Sequence, residues 1–415
     1  MEASILTIQS NSLLIIFAVV AMTGIICSKL SEILKIPDIV LYLIAGIIIG
    51  PSVLRFIDIS NYQVENQLIL TFGSAFILYL GGKEISLKVL KNVKVTVFLL
   101  SSLGVIISAL IVSKMVGLAF GISFLSALLA GSIIASTDPA TLVPIFNQIN
   151  IEKKVKQTII SESAFNDATG AILTSAILTV ILSGKFSFGE NVYELGTMIV
   201  VGTVVGIVTG IVLLLLINDK PYGVFKDFAP IISILSVIIA YEVATKFGGS
   251  GYMACFIVGI INRNKKNFRV WLSQKSYDAD YYVAETLGTI CRMSIFIILG
   301  SQVDLSMLGK YFVPSLLVVL GLMFIARPIC VILCTIFDKE AKWNKKEIFF
   351  MMWVRETGVI PAALCGIISA MKVPNYEIIS SIVFMTILIT IIIQGSTTKI
   401  VARKLGLLED IDQII

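Results

Sequence analysis

Ser136-Thr137-Asp138-Pro139-Ala140-Thr141 sets an acid and a helix breaker in the middle of an apolar run. Two other stretches do the same, Ser161-Glu162-Ser163-Ala164-Phe165-Asn166-Asp167 and Arg355-Glu356-Thr357-Gly358-Val359-Ile360-Pro361. Charges and breakers are costly inside a bilayer, and where they occur they mark ion paths. The composition says that the surrounding chain belongs in a bilayer. Its 415 residues are 57% hydrophobic and 14% charged, with a mean hydropathy of +0.97, whereas soluble domains are about 25% charged.

Apolar runs of about 20 residues, enough to cross a hydrocarbon core of about 30 Å as helix, recur about thirteen times. Their centres lie near Ile16, Ile44, Ile77, Ile106, Leu128, Ile172, Val204, Val237, Phe256, Ile295, Val319, Ala362 and Ile387. The sequence therefore predicts an all-α polytopic membrane protein. The first run lacks a basic leader and continues into a second span, so it reads as a retained helix rather than a cleaved signal. With the N-terminus outside, 23 of the 32 basic residues fall in inner loops and six in outer ones, namely Arg55, Lys114, Lys185, Lys246, Lys310 and Lys372. This bias predicts an N-terminus outside and a cytoplasmic C-terminus. Only Arg292, Arg327 and Arg355 are left inside spans.

The net charge of +5 follows from the inner-loop lysines and arginines and calls for no nucleic-acid partner. All six cysteines lie in or at apolar segments and read as small buried hydrophobes, not a disulfide framework. Histidine is absent, which excludes histidine-based zinc sites, general bases and pH switches. Proton chemistry is left to carboxylates. The longest hydrophilic stretch runs from about Asn262 to Asp280, too short for a soluble domain.

The fifth span is broken by Thr137-Asp138-Pro139 and the twelfth by Thr357-Gly358-Val359-Ile360-Pro361. An offset of seven spans puts the two in opposite orientation, as expected of inverted repeats with span seven between them. Paired interrupted helices in inverted halves point to the binding site of a secondary transporter; taken singly, each proline would read as a kink.

On the sixth span Ser163 and Asp167 share one helix face, and Glu162 and Asn166 form a neighbouring stripe. Glu162 and Asp167 lie about 140° apart around the helix, so the two acids face different partners. Glu162 reads as half of a structural ion pair with Arg327 on the eleventh span, a poor stabiliser but a sound registration device. Asp167 has no basic residue on its own span. Burial favours its neutral form, so a proton and a small cation can compete for the same oxygens. Freed carbonyls near Thr137, the Asp138 carboxylate and the Ser163 hydroxyl are hard ligands suited to sodium or lithium. Asn166 reads as a hydrogen-bond bridge to the unwound backbone.

Thr137-Asp138-Pro139-Ala140-Thr141 followed by Glu162-Ser163-Ala164-Phe165-Asn166-Asp167 closely resembles the NhaP-type branch of the monovalent cation/proton antiporters. Ile36-Pro37 with Gly46, Gly50 and Pro51, then Ala326-Arg327-Pro328, and Arg355 with Gly358 and Pro361 extend the resemblance over essentially the whole chain. It implies an NhaA-like fold of about 13 helices with two broken helices crossing at mid-membrane, in a homodimer in the plasma membrane. It implies one antiporter domain over 1–402, with scaffold and dimer spans at about 1–90 and 225–307. An ion-carrying core at about 91–184 and 311–402, a linker helix at about 191–217 and a tail at 403–415 complete it. The core would move as an elevator, Asp167 carrying a proton or a sodium ion in turn while Asp138, Ser163 and Thr137 complete the shell. Asn166 before the acid places the chain in the branch associated with electroneutral one-for-one exchange. No cofactor is implied beyond transported sodium or lithium and protons.

Two features depart from the family pattern. Glu356 follows Arg355 where a smaller residue is expected, and the two can offset one another. Arg292 has no counterpart to carry over; Glu285, Glu242 and Glu356 are its candidate partners, and a structural pair is the expected role for Glu242 and Glu285 too. Rival readings are a potassium-selective exchanger or a channel on the same fold, a non-transporting sensor, and an intramembrane aspartyl protease using Asp138 and Asp167. The protease needs two carboxylates sharing a proton, and neither Asp has the Gly-x-Gly-Asp setting.

Overall fold

Backbone amides in hydrocarbon have no water to bond, so an apolar segment crosses only when its hydrogen bonds close within the segment. The computed structural model of the protein describes residues 2–34, 37–59, 62–91, 93–137, 146, 151–184, 188–219, 223–268 and 270–408. Among these, helix dominates, and the sole β contact is an isolated bridge between Ile151 and Leu408. The helices are α1 (Glu2–Leu34), α2 (Asp38–Ile49), α3 (Gln63–Glu84), α4 (Lys94–Phe120), α5 (Phe124–Ile134), α6 (Lys153–Ser183) and α7 (Phe188–Leu216). They continue with α8 (Ala229–Lys246), α9 (Gly251–Arg263), α10 (Gln274–Ser301), α11 (Leu305–Ile336), α12 (Lys345–Trp353), α13 (Val359–Ala370) and α14 (Tyr376–Leu405). Among the described residues nine helices are long and apolar enough to cross a membrane, and four shorter apolar ones, α2, α5, α9 and α13, complete thirteen segments. Every centre read from the sequence lies in one of them.

Two helices change pitch. α11 contains a π-turn at Leu322–Ala326 and α14 another at Thr390–Gly395. The first has a local cause: in a straight α-helix the Pro328 ring would strike the carbonyl of Phe324, and the wider turn just ahead of it relieves that clash.

Small residues set how closely the helices approach, as in membrane proteins generally. A Cβ added to Gly50, which caps α2, would lie 2.7 Å from the Cα of Ser301 on α10. On α3 and α9, Gly82 and Gly259 face each other, with an added Cβ on either only 3.0 Å from the other's Cα. Gly202 and Gly206 of α7 each meet a carbonyl of the stretch Ser250–Ala254, at 2.6 Å from an added Cβ. Gly259→Val is therefore expected to lower the melting temperature of the purified protein through overpacking of about 1–3 kcal/mol. Gly117→Ala, with nothing within 4 Å of its added Cβ, is expected not to lower it.

The largest buried cluster draws on α2, α3, α5, α6, α9, α10, α13 and α14, and a second gathers Phe146, Ile159, Val331, Phe350 and Val354. The end of α5, the middle of α6 and the break between α12 and α13 meet between these two clusters.

Candidate functional site

The four candidate site residues of α6 are all buried, with Glu162, Ser163, Asn166 and Asp167 no more than 3% exposed. Helix α5 stops at Ile134, and Thr137 lies beyond its end in non-helical backbone. Buried backbone outside a helix needs partners from elsewhere for its polar groups, and α6 supplies them for Thr137. The Thr137 N–H donates to Asn166 Oδ1 at 2.9 Å, Asn166 Nδ2 donates to Thr137 Oγ1 at 2.9 Å, and Thr137 Oγ1 lies 2.7 Å from Ser163 Oγ. Asn166 thus pins the unwound backbone through both ends of its amide, and Ser163, one turn from Asp167, joins the same cluster. Asp138 and Pro139, with Ala140 and Thr141, lie outside the described residues. Asn166→Ala is expected to leave the buried Thr137 N–H unsatisfied, at about 1–3 kcal/mol, read as a lower melting temperature together with slower exchange.

The second break covers Val354–Gly358, all buried. It falls earlier than the sequence suggested: Val359, Ile360 and Pro361 are already helical, at the start of α13. Proline is tolerated in a first turn because no intrahelical bond is asked of its nitrogen there. Gly358 is the last residue before the helix.

Arg355, fully buried, sends Nη2 to the carbonyls of Ile134 at 2.8 Å and Ala135 at 2.9 Å. It closes the negative, bond-deficient end of α5. The carboxylate of Glu356 lies against Gly395: a Cβ built there would be 3.5 Å from Glu356 Oε1. The neighbouring Thr357 N–H donates to Thr390 Oγ1 at 3.1 Å, so the break leans on the π-turn of α14.

Arg327 does the corresponding work for α12. Its Nε donates to Met351 O at 3.0 Å and its Nη2 reaches Val354 O at 3.4 Å, at the C-terminal end of that helix. The same guanidinium grips Glu162 with both arms, Nη2 to Oε2 at 3.0 Å and Nη1 to Oε1. Planar bidentate geometry of this kind is where arginine outperforms lysine. Each broken span thus has its carbonyl end held by an arginine from another segment.

Arg292 takes a partner that was not among the candidates. Its Nη2 lies 3.9 Å from Asp38 Oδ2, an oxygen that also accepts from the Tyr42 hydroxyl at 3.2 Å. Register explains it: Asp38 precedes Gly46 by eight residues, Arg292 precedes Gly300 by eight, and the two glycines touch where α2 packs on α10. Glu242 and Glu285 are exposed, and Glu285 accepts from Tyr281 at 3.3 Å.

The cluster presents a buried carboxylate, hydroxyls and helix-end carbonyls, all hard oxygens, within a protein interior that disfavours a bare charge. Such a site suits a proton or a small dehydrated cation.

Comparison with known proteins agrees with this chemistry. The profile of the family "Sodium/hydrogen exchanger, transmembrane" matches residues 16–404. The chain is 32% identical to Na(+)/H(+) antiporter 1 of Methanocaldococcus jannaschii, over 92% of this chain and 93% of that one. It is 26% identical to the K(+)/H(+) antiporter NhaP of Alkalimonas amylolytica, over 96% of this chain and 67% of the relative. The structure of the sodium proton antiporter MjNhaP1 from M. jannaschii at pH 8 superposes with a TM-score of 0.79 at 30% identity, covering 95% of this chain and 99% of that one. With thirteen apolar helical segments among its described residues, two broken spans that meet and a profile match over nearly its whole length, the chain belongs to the family of transmembrane sodium/hydrogen exchangers.

Proposed function

We propose that the protein exchanges one sodium or lithium ion for one proton per cycle, with Asp167 as the carboxylate for which both compete. The observation that carries the reading is the placement of Asp167 on α6, buried and one turn from the Ser163–Thr137–Asn166 cluster that holds the end of α5. Ionised Asp167 takes the cation, with Ser163, the Thr137 backbone and Asp138 as further oxygens; protonated Asp167 lets it go. Glu162 stays bound to Arg327 and out of the cycle. One titrating carboxylate per crossing makes the exchange electroneutral.

In this reading segments 91–184 and 311–402 move as a core against a scaffold of 1–90 and 225–307, with 191–217 as linker. The protein acts as a homodimer in the plasma membrane, with its N-terminus outside and its tail in the cytoplasm, as the loop lysines favour. Exchange is bell-shaped in pH, since protons occupy the site at low pH and are scarce at high pH. A potassium/proton exchanger is the second reading, favoured by the likeness to the A. amylolytica antiporter.

The test is reconstitution in liposomes with a trapped pH dye, pulsed with sodium, lithium or potassium with and without a potential clamp. Sodium- or lithium-driven proton movement that ignores the clamp is expected. Potassium-driven movement alone would select the second reading, and voltage-dependent flux would refute one-for-one exchange.

A further inference from the structure

A cavity of about 580 Å³, lined by none of Thr137, Ser163, Asn166 and Asp167, lies where α2, α10 and α13 stop and α3, α11 and α14 begin. Three carboxylates, Asp58, Asp304 and Glu377, line it against one cation, Lys372, and all four are exposed. Asp304 caps α11, its Oδ1 accepting from the Ser306 hydroxyl and from the N–H groups of Ser306 and Met307. The Ser306 hydrogen bond, with the backbone ones, holds its carboxyl below the ordinary range and so favours the charged form.

Two further lining residues differ in kind. Asn66 of α3 is 6% exposed and Ser381 of α14 is 5% exposed, and Asn66 Oδ1 and Ser381 Oγ have no protein partner. Buried polar oxygens without partners are costly and rare; two in one acid-rimmed cavity suit a ligand that accepts oxygen coordination. Glu377 and Ser381 stand four apart on one face of α14. Nine residues further, about 13 Å along the helix, Thr390 accepts the N–H of Thr357 at the second break.

We propose that this cavity is a cation vestibule: its rim carboxylates concentrate monovalent cations, and the Asn66 and Ser381 oxygens hold a partly hydrated ion there before it passes to Asp167. Clefts lined by one sign of charge focus the field and raise local counter-ion concentration. The proposal rests on the antiport reading and on the orientation that puts this face outside.

Intact cells expressing Ser381→Cys are treated from outside with impermeant thiosulfonates carrying either a trimethylammonium or a sulfonate group. Wild type, whose cysteines are all buried, is the control. The thiol introduced by Ser381→Cys is expected to react, and adding Asp58→Asn with Glu377→Gln is expected to lower the cation-to-anion rate ratio about tenfold, less so in high salt. No reaction from outside, or an unchanged ratio, would overturn the vestibule. This labelling needs no transport, so absence of exchange in wild-type liposomes would refute the antiport reading alone. Where exchange is present, Asp58→Asn with Glu377→Gln is expected to raise the cation KM at the outer face at least threefold more than at the inner face; equal changes at both faces would also overturn the proposal.

Discussion

Liposomes carrying Asp167→Asn are expected to show no sodium-driven proton movement, a loss to background, while the purified protein keeps its fold and assembly. The amide is nearly isosteric with the acid and fits the same buried position on α6. It cannot take up and release a proton, and it offers a cation a neutral oxygen in place of a carboxylate. Because the hydrogen bonds that tie α5 and the unwound backbone beyond it to α6 run through Asn166, Ser163, Thr137, Ser132 and Thr174, the exchange removes chemistry without removing that scaffold. Size-exclusion behaviour and melting temperature should therefore match wild type while dye-reported flux vanishes. Residual sodium-driven flux would show that another carboxylate carries the exchanged charge.

Arg327→Ala is expected to have the largest effect on stability. The guanidinium serves Glu162, Met351 O and Val354 O together, so its loss strands a buried carboxylate and uncovers the carbonyl end of α12. Breaking a buried pair by removing one partner costs about 3–5 kcal/mol, enough to deplete folded protein. Arg327→Lys keeps the charge but not the fork, and should rescue only part of it. Combining Arg327→Ala with Glu162→Gln should cost less than the two single changes added, since the second removes the charge that the first leaves unpaired. A purified Arg327→Ala protein as thermostable as wild type would refute this account of the pair.

Much of this architecture was legible in the residues because the bilayer allows few solutions. Thirteen apolar runs had to be thirteen helical segments, and an acid and an arginine left inside spans had to find each other, as Glu162 and Arg327 do. Asn166 beside a proline-broken span had one obvious use, the unwound backbone, and its amide does bond Thr137. What escaped was contact between distant backbones. Nothing near Arg355 announces that it reaches the carbonyls of α5, because carbonyls are invisible to a reading by side-chain type; Glu356, next in sequence, was the tempting partner. Asp38 does not stand out in the sequence as the partner of Arg292, because it follows a proline at the edge of a span, and only the glycine register between α2 and α10 brings the two level. The second break lies ahead of the position that Pro361 suggests, because a proline starts a helix as readily as it ends one.

A π-turn admits one extra residue, and each extra residue turns everything beyond it by about 100°. In α11 the insertion sits at Leu322–Ala326, directly ahead of Arg327, and so works as a phase shifter that aims the guanidinium at Glu162. In α14 the second one sets Thr390 and Gly395 against Thr357 and Glu356. Chain length, as much as residue identity, thus tunes both helices. Deleting a single residue from Leu322–Ala326 would leave Glu162 and Arg327 in place in any alignment and still swing them apart, so descent with small insertions and deletions can rewire this protein without altering one of its charged residues.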